Sequence, residues 1–244
     1  MILNSRIIGI LQTLKGRFPQ PGAMEIGGAY QALVGVLLSA RTRDEQVIKL
    51  LPGFFEAFPS VLELAVASEE EIRSKINTIG MYKQKAKHLK AMAQRVVSDF
   101  DGEIPATMED LTSLAGVGRK TASVILPYIH GIPAIAVDTH VHRVANRLGW
   151  VVSKTPAQTE QQLLKIVPPE FQYPINQVMV KFGRYICLPG NPRCWACPIA
   201  DSCPFKEKNL VPPKNAEAIL ADIDRREAEL ERLKDVVTQG KLTT

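Results

Sequence analysis

The 244 residues predict an all-α fold. Apolar side chains recur every three or four positions in successive segments, start signals stand ahead of several of them, and extended pieces are brief, 132–137 being the clearest. With 45% hydrophobic residues the chain can bury a sizeable core in one or two domains, so it has no need of disulfide staples.

Taken in order, the first apolar run, 7–11, is short and lies between Arg6 and Lys15, which is not the pattern of an export signal. The longest, ALVGVLLSA at 32–40, is about half of the ~18 residues that a membrane span requires. Both point to a soluble cytoplasmic protein. Ser68 followed by Glu71 has the form of a capping box. In LTSLAGVGRKTASVIL, 111–126, Leu111, Leu114 and Val117 and then Val124 and Ile125 are spaced for two short helices. Gly116 and Gly118 interrupt them where a tight hairpin needs flexible backbone. After the extended IPAIAV, Asp138 precedes a pattern in which Val141, Val144, Ala145 and Leu148 share a face, so it reads as a helix N-cap. Thr155 before Pro156 marks another helix start. In the tail, Ile219, Ile223, Leu230 and Leu233 stand amid dense charge and predict a helix packed on the body or on a partner.

The hairpin carries the first chemical signal. Its turn aims successive backbone N–H groups outward at the start of the second helix, and a phosphate fills such a site without base specificity. Arg119 and Lys120 follow at once. At a helix start the positive end of the dipole and the neighbouring Arg119 both disfavour a proton on the Lys120 amine, and a neutral lysine attacks a carbonyl or acetal carbon to give a Schiff base. Asp138, rigid at an element boundary, is the candidate acid or base partner. His140 and His142 point apart at their spacing and are not read as metal ligands.

The second signal is CLPGNPRCWACPIADSC, which holds all four cysteines, Cys187, Cys194, Cys197 and Cys203. In a reducing compartment such crowding favours metal ligation. Four-cysteine zinc sites usually pair two C-x2-C knuckles, and only one is present here; a [4Fe-4S] cluster, with one thiolate on each iron, tolerates the uneven gaps better. Zinc and unligated thiols remain alternatives on spacing alone.

LAGVGRKTASVIL, then AVDTH, then C-x6-C-x2-C-x5-C together resemble the endonuclease III family of helix-hairpin-helix DNA glycosylases, over about residues 30–205. The resemblance implies a [4Fe-4S] cluster on the four cysteines, a Lys120 nucleophile and an Asp138 catalytic carboxylate. It implies two helical domains, a central one at 24–132 with the hairpin and a second from 1–23 and 133–212 with the cluster loop, the active site lying in the cleft between them; 213–244 is then a charged tail. Family members fill the hole left by an extruded base from two loops, positions that correspond to Arg41 and Met81. Arginine at 41 departs from the glutamine of many members. Gly116, Val117, Gly118, Arg119 and His140 complete the expected DNA contacts.

The implied activity is removal of oxidised pyrimidines followed by strand nicking. The partner is double-stranded DNA with damaged bases or abasic sites, met by a monomer in the cytoplasm at the nucleoid. A thymine-guanine mismatch glycosylase and a non-catalytic iron-sulfur DNA-binding protein are the alternatives. Charge agrees: 24 basic and 18 acidic residues give the body a net +6, while the tail from Pro213 has six and seven. Lys83, Lys85, Lys87 and Lys90 cluster beside the second loop. Arg184, Arg193, Lys206 and Lys208 surround the cysteines and are further candidates for phosphate contact.

Overall fold

The computed structural model describes residues 2–19 and 26–238, with side chains from residue 5 onward. Among the described residues there are twelve α-helices, one 3-10 turn and no strand. The chain divides into two compact units, Met1–Gly22 with Pro133–Arg226, and Ala23–Ile132 with Glu227–Thr244. The domain junction expected at Met24 and the tail residues 239–244 lie outside the described residues.

The unit that contains 23–132 carries α2 (Ala29–Ser39), α3 (Asp44–Ala57), α4 (Val61–Val66), α5 (Glu69–Ile76), α6 (Tyr82–Asp99), α7 (Met108–Ser113) and α8 (Arg119–His130). The capping box starts α5 as its sequence predicts: Ser68 Oγ accepts from Glu71 N at 3.2 Å, and Glu71 Oε2 accepts from Ser68 N at 2.7 Å. On α6 the apolar positions Ala86, Leu89, Met92, Ala93 and Val96 recur at three- and four-residue steps and are buried. They form the inner face against which α4 and α5 pack, and α2 packs on α3 and α8. Each fully buried leucine or isoleucine here contributes about 1.5–3 kcal/mol against conformational entropy.

The other unit carries α1 (Ile2–Arg17), α9 (Thr139–Arg147), α10 (Pro156–Ile166) and α11 (Pro169–Tyr185). Ile7, Ile10, Leu11 and Leu14 of α1 share a core with Val141, Val144 and Ala145 of α9 and with Val178, Met179 and Phe182 of α11. Thr155 caps α10 by accepting from Gln158 N, with Pro156 in the first turn. The segment at 132–137 enters neither helix nor strand, yet Ile135 and Val137 are part of this core. They fix where Asp138 begins α9. The tail forms α12 (Ala216–Thr238), with Ile223 and Leu230 buried and Leu233 half-buried.

Candidate functional site

The hairpin is built by α7 and α8. Thr107 Oγ1 accepts from Asp110 N at 3.0 Å to start α7, and Leu111, Leu114 and Val117 are buried. Val117 N donates to Leu114 O at 3.1 Å, which closes the turn. The two glycines differ. Gly116 has φ +79°, and a Cβ there would stand 2.9 Å from Nδ1 of His88 on α6. Gly118 has φ −94°, with nothing within 4 Å of an added Cβ, so it needs no special freedom. Its role is as the N-cap of α8, which it leaves without a side-chain cap. The first turn of α8 holds no acidic residue, and Arg119 and Lys120 stand exposed in it.

Three loops of this unit converge. Arg41, Met81 and Gly116 line one pocket together with Leu37, Lys85 and His88. Arg41 (φ 57°) and Met81 (φ 59°) both adopt the left-handed conformation that L-residues avoid. Met81 is the N-cap of α6 and is 48% exposed, so it is not a core methionine. Lys83 and Lys87 are exposed, but Lys85 departs from the expected basic cluster: it is buried, and its Nζ donates to Leu38 O at 2.7 Å and Thr42 Oγ1 at 2.6 Å. Burial lowers its pKa from the usual lysine range.

Asp138 belongs to the other unit, half-buried at the start of α9. Its Oδ1 accepts from His140 N and Val141 N, both at 2.8 Å, so the carboxylate is held in one orientation. Arg143 Nη2 lies 3.1 Å from His140 Nδ1. Burial pushes the His140 imidazole below its ordinary pKa, against the opposing charge of Asp138. Close packing of α9 on α11 depends on Gly183, where a Cβ would meet His140 Cβ at 2.8 Å. His142 points elsewhere, with Nδ1 2.6 Å from Thr159 Oγ1.

The four cysteines are unbridged and line a single pocket with Arg147, Phe182, Ile199 and Phe205. Burial pushes the Cys197 thiol up to about 12 and raises that of Cys187, which Arg147 opposes by donating from Nη1 to Cys187 Sγ at 3.3 Å. Among the described residues no three His, Cys, Asp or Glu side chains are gathered so as to hold one metal ion. Four cysteine sulfurs on one pocket are a soft donor set of the kind that holds zinc or an iron–sulfur cluster. Arg193 Nη1 donates to Tyr185 O and Lys208 Nζ to Ala200 O, so both brace this loop's backbone.

Sequence reasoning missed Arg143 and Arg147. Arg143 Nε donates to Cys187 O at 3.0 Å, and Arg147 Nη1 donates to Leu188 O at 2.6 Å, so two turns of α9 grip the first cysteine. Their four-residue spacing behind Asp138 was the available signal.

The family model described as "HhH-GPD superfamily base excision DNA repair protein" matches residues 34–169. Endonuclease III of Thermotoga maritima is 44% identical over 176 residues, 72% of this chain and 83% of that protein. Endonuclease III of Escherichia coli K12 is 36% identical over 206 residues, 84% of this chain and 98% of that protein. Among solved structures, a trapped endonuclease III-DNA covalent intermediate with an estranged adenine aligns with a TM-score of 0.75 at 33% identity, covering 82% of this chain and 95% of that one. A thermostable thymine-DNA glycosylase, 24% identical with a TM-score of 0.74, shares the fold.

Proposed function

The chain belongs to the endonuclease III family, within the HhH-GPD superfamily of base excision DNA repair proteins, and we propose that it excises oxidised pyrimidines from duplex DNA and then nicks the strand. The observation that carries this reading is Lys120, exposed in the first turn of α8 directly behind the hairpin. Two cations in the first turn of a helix that has no side-chain cap and no acidic residue in that turn oppose the helix dipole and cost folding stability. A bound phosphate offsets that cost, since the N–H groups and both side chains favour an anion.

Lys120 Nζ attacks C1′ of the damaged nucleotide, and the base leaves with the electrons of the glycosidic bond. Opening of the sugar ring gives a Schiff base between Nζ and C1′. That cation acidifies the C2′ proton; its loss forms a C2′–C3′ double bond and expels the 3′ phosphate, so the strand is nicked by β-elimination. Water then hydrolyses the Schiff base and frees the lysine. Asp138 stabilises positive charge on the sugar and assists the proton transfers, its rotation removed by the two backbone donors on Oδ1. Met81 wedges the base step and Arg41 faces the orphaned base, while the hairpin backbone of Gly116, Val117 and Gly118 and the side chains of Arg119 and His140 hold phosphate.

Cys187, Cys194, Cys197 and Cys203 would hold a [4Fe-4S] cluster, supported by their shared pocket and by the Arg147 donor on sulfur. When bound, it supplies iron–thiolate bonds that fold the loop. Borohydride, which reduces a Schiff base to a permanent link, tests the reading. A duplex with an oxidised pyrimidine should be trapped by the wild type and not by Lys120→Ala. Trapping only on a thymine-guanine duplex would identify a mismatch enzyme, and no trapping on any duplex would refute the lysine chemistry.

A further inference from the structure

We propose that Lys85 is a positioning residue for Arg41: bonded to the carbonyl of Leu38 and the hydroxyl of Thr42, it fixes the turn that presents Arg41 at the pocket shared with Met81 and Gly116. The inference rests on the repair reading above, which assigns Arg41 to the orphaned base.

Taking an ammonium out of water costs several kcal/mol unless it is compensated. Among the described residues no carboxylate lies within ion-pair distance of Lys85, so compensation comes from two oxygens and from the negative end of α2, whose own last turn holds no basic residue. An apolar side chain would fill the same space at lower cost if filling were all that mattered. The two bonds instead bracket Arg41, one three residues before it and one just after. Arg41 sits at φ 57°, a conformation that persists only where its surroundings impose it.

The placement along α6 extends the argument. Positions 81, 85 and 88 form one stripe at helical spacing, and each meets a different part of the pocket rim. Met81 is the rim itself, Lys85 holds the Arg41 turn, and His88 packs against Gly116. One rigid helix thereby sets the positions of all three loops. Lys85 acts through Arg41 and touches no reacting atom.

The test is a double-mutant cycle on full-length protein, read as kcat/KM for excision of an oxidised pyrimidine opposite each of the four bases. Arg41→Ala and Lys85→Met should each lower kcat/KM by about tenfold to a hundredfold and level the dependence on the opposite base. The double variant should be no worse than the weaker single one, because both changes remove the same contact. Lys85→Arg should restore part of the loss. Should Lys85→Met fail to fold, Thr42→Val, which removes one of the two bonds, should shift opposite-base dependence the same way. Losses that multiply, an unchanged opposite-base dependence in Lys85→Met or Thr42→Val, or an Arg41→Ala enzyme indistinguishable from wild type would overturn the inference. A wild type inactive on every duplex would instead sink the repair reading itself.

Discussion

Gly116 and Gly118 stand two residues apart in one turn, and only the first is a glycine by necessity. At Gly116 the left-handed φ of +79° disfavours any L-residue, and a methyl group would also press on the ring of His88 at 2.9 Å. Alanine at 116 should therefore lower the unfolding free energy by about 1–3 kcal/mol, while alanine at 118, extended and open on all sides, should cost less than about 1 kcal/mol. Urea unfolding of the two variants checks this, and equal losses would show that the turn is held by something other than its backbone. Sequence pattern identified the hairpin but weighted both glycines alike, because local spacing does not reveal which residue has a helix behind it. Lys85 shows the same limit. It reads as one more surface lysine until Leu38, 47 residues earlier in the chain, is seen to accept from it.

At the scale of the element, α9 joins local and distant instructions. Its start was legible: Asp138 caps it, and Val141, Val144, Ala145 and Leu148 are buried as their periodicity predicts. The capping box at Ser68 and the Thr155–Pro156 start were legible for the same reason, since each is decided within four residues. Its grip on the cysteine loop was not, because Arg143 and Cys187 are 44 residues apart and no short pattern links them. The cap also separates the structural from the chemical duty of Asp138. Asparagine keeps an oxygen for the His140 and Val141 donors, so Asp138→Asn should melt within a few degrees of wild type. Asp138→Ala loses both bonds and should cost about 0.5–2 kcal/mol. Both should lose most excision activity, as measured by single-turnover cleavage. An Asn variant as active as wild type would reduce the residue to a cap.

At the scale of the whole molecule, the cysteine loop behaves as part of a core. In the unit that contains it, Cys187, Cys197 and Cys203 pack against the cluster of buried residues drawn from α1, α9 and α11. Arg143, Arg147 and Arg193 spend their guanidinium groups on carbonyls at or beside the loop, which holds backbone that has only the short 3-10 turn Cys194–Ala196 as regular structure. Burial favours the neutral thiols of Cys197 and Cys187, so an iron–sulfur cluster, whose ligands must give up their protons, would have to offset that cost through its iron–thiolate bonds. A cluster held there would contribute to folding together with the apolar core around it. Cys197→Ser should lose iron, sulfide and visible absorption together, and should lower unfolding stability by more than about 3 kcal/mol. The loss should spread to the core of that unit, seen as faster amide exchange in α9 and α11, because those helices share its packing. A Cys197→Ser protein without iron that keeps wild-type stability and wild-type exchange in α9 would mean that the arginines and the core hold the loop unaided, and the cluster's reason for being there would have to be sought in DNA binding or electron transfer.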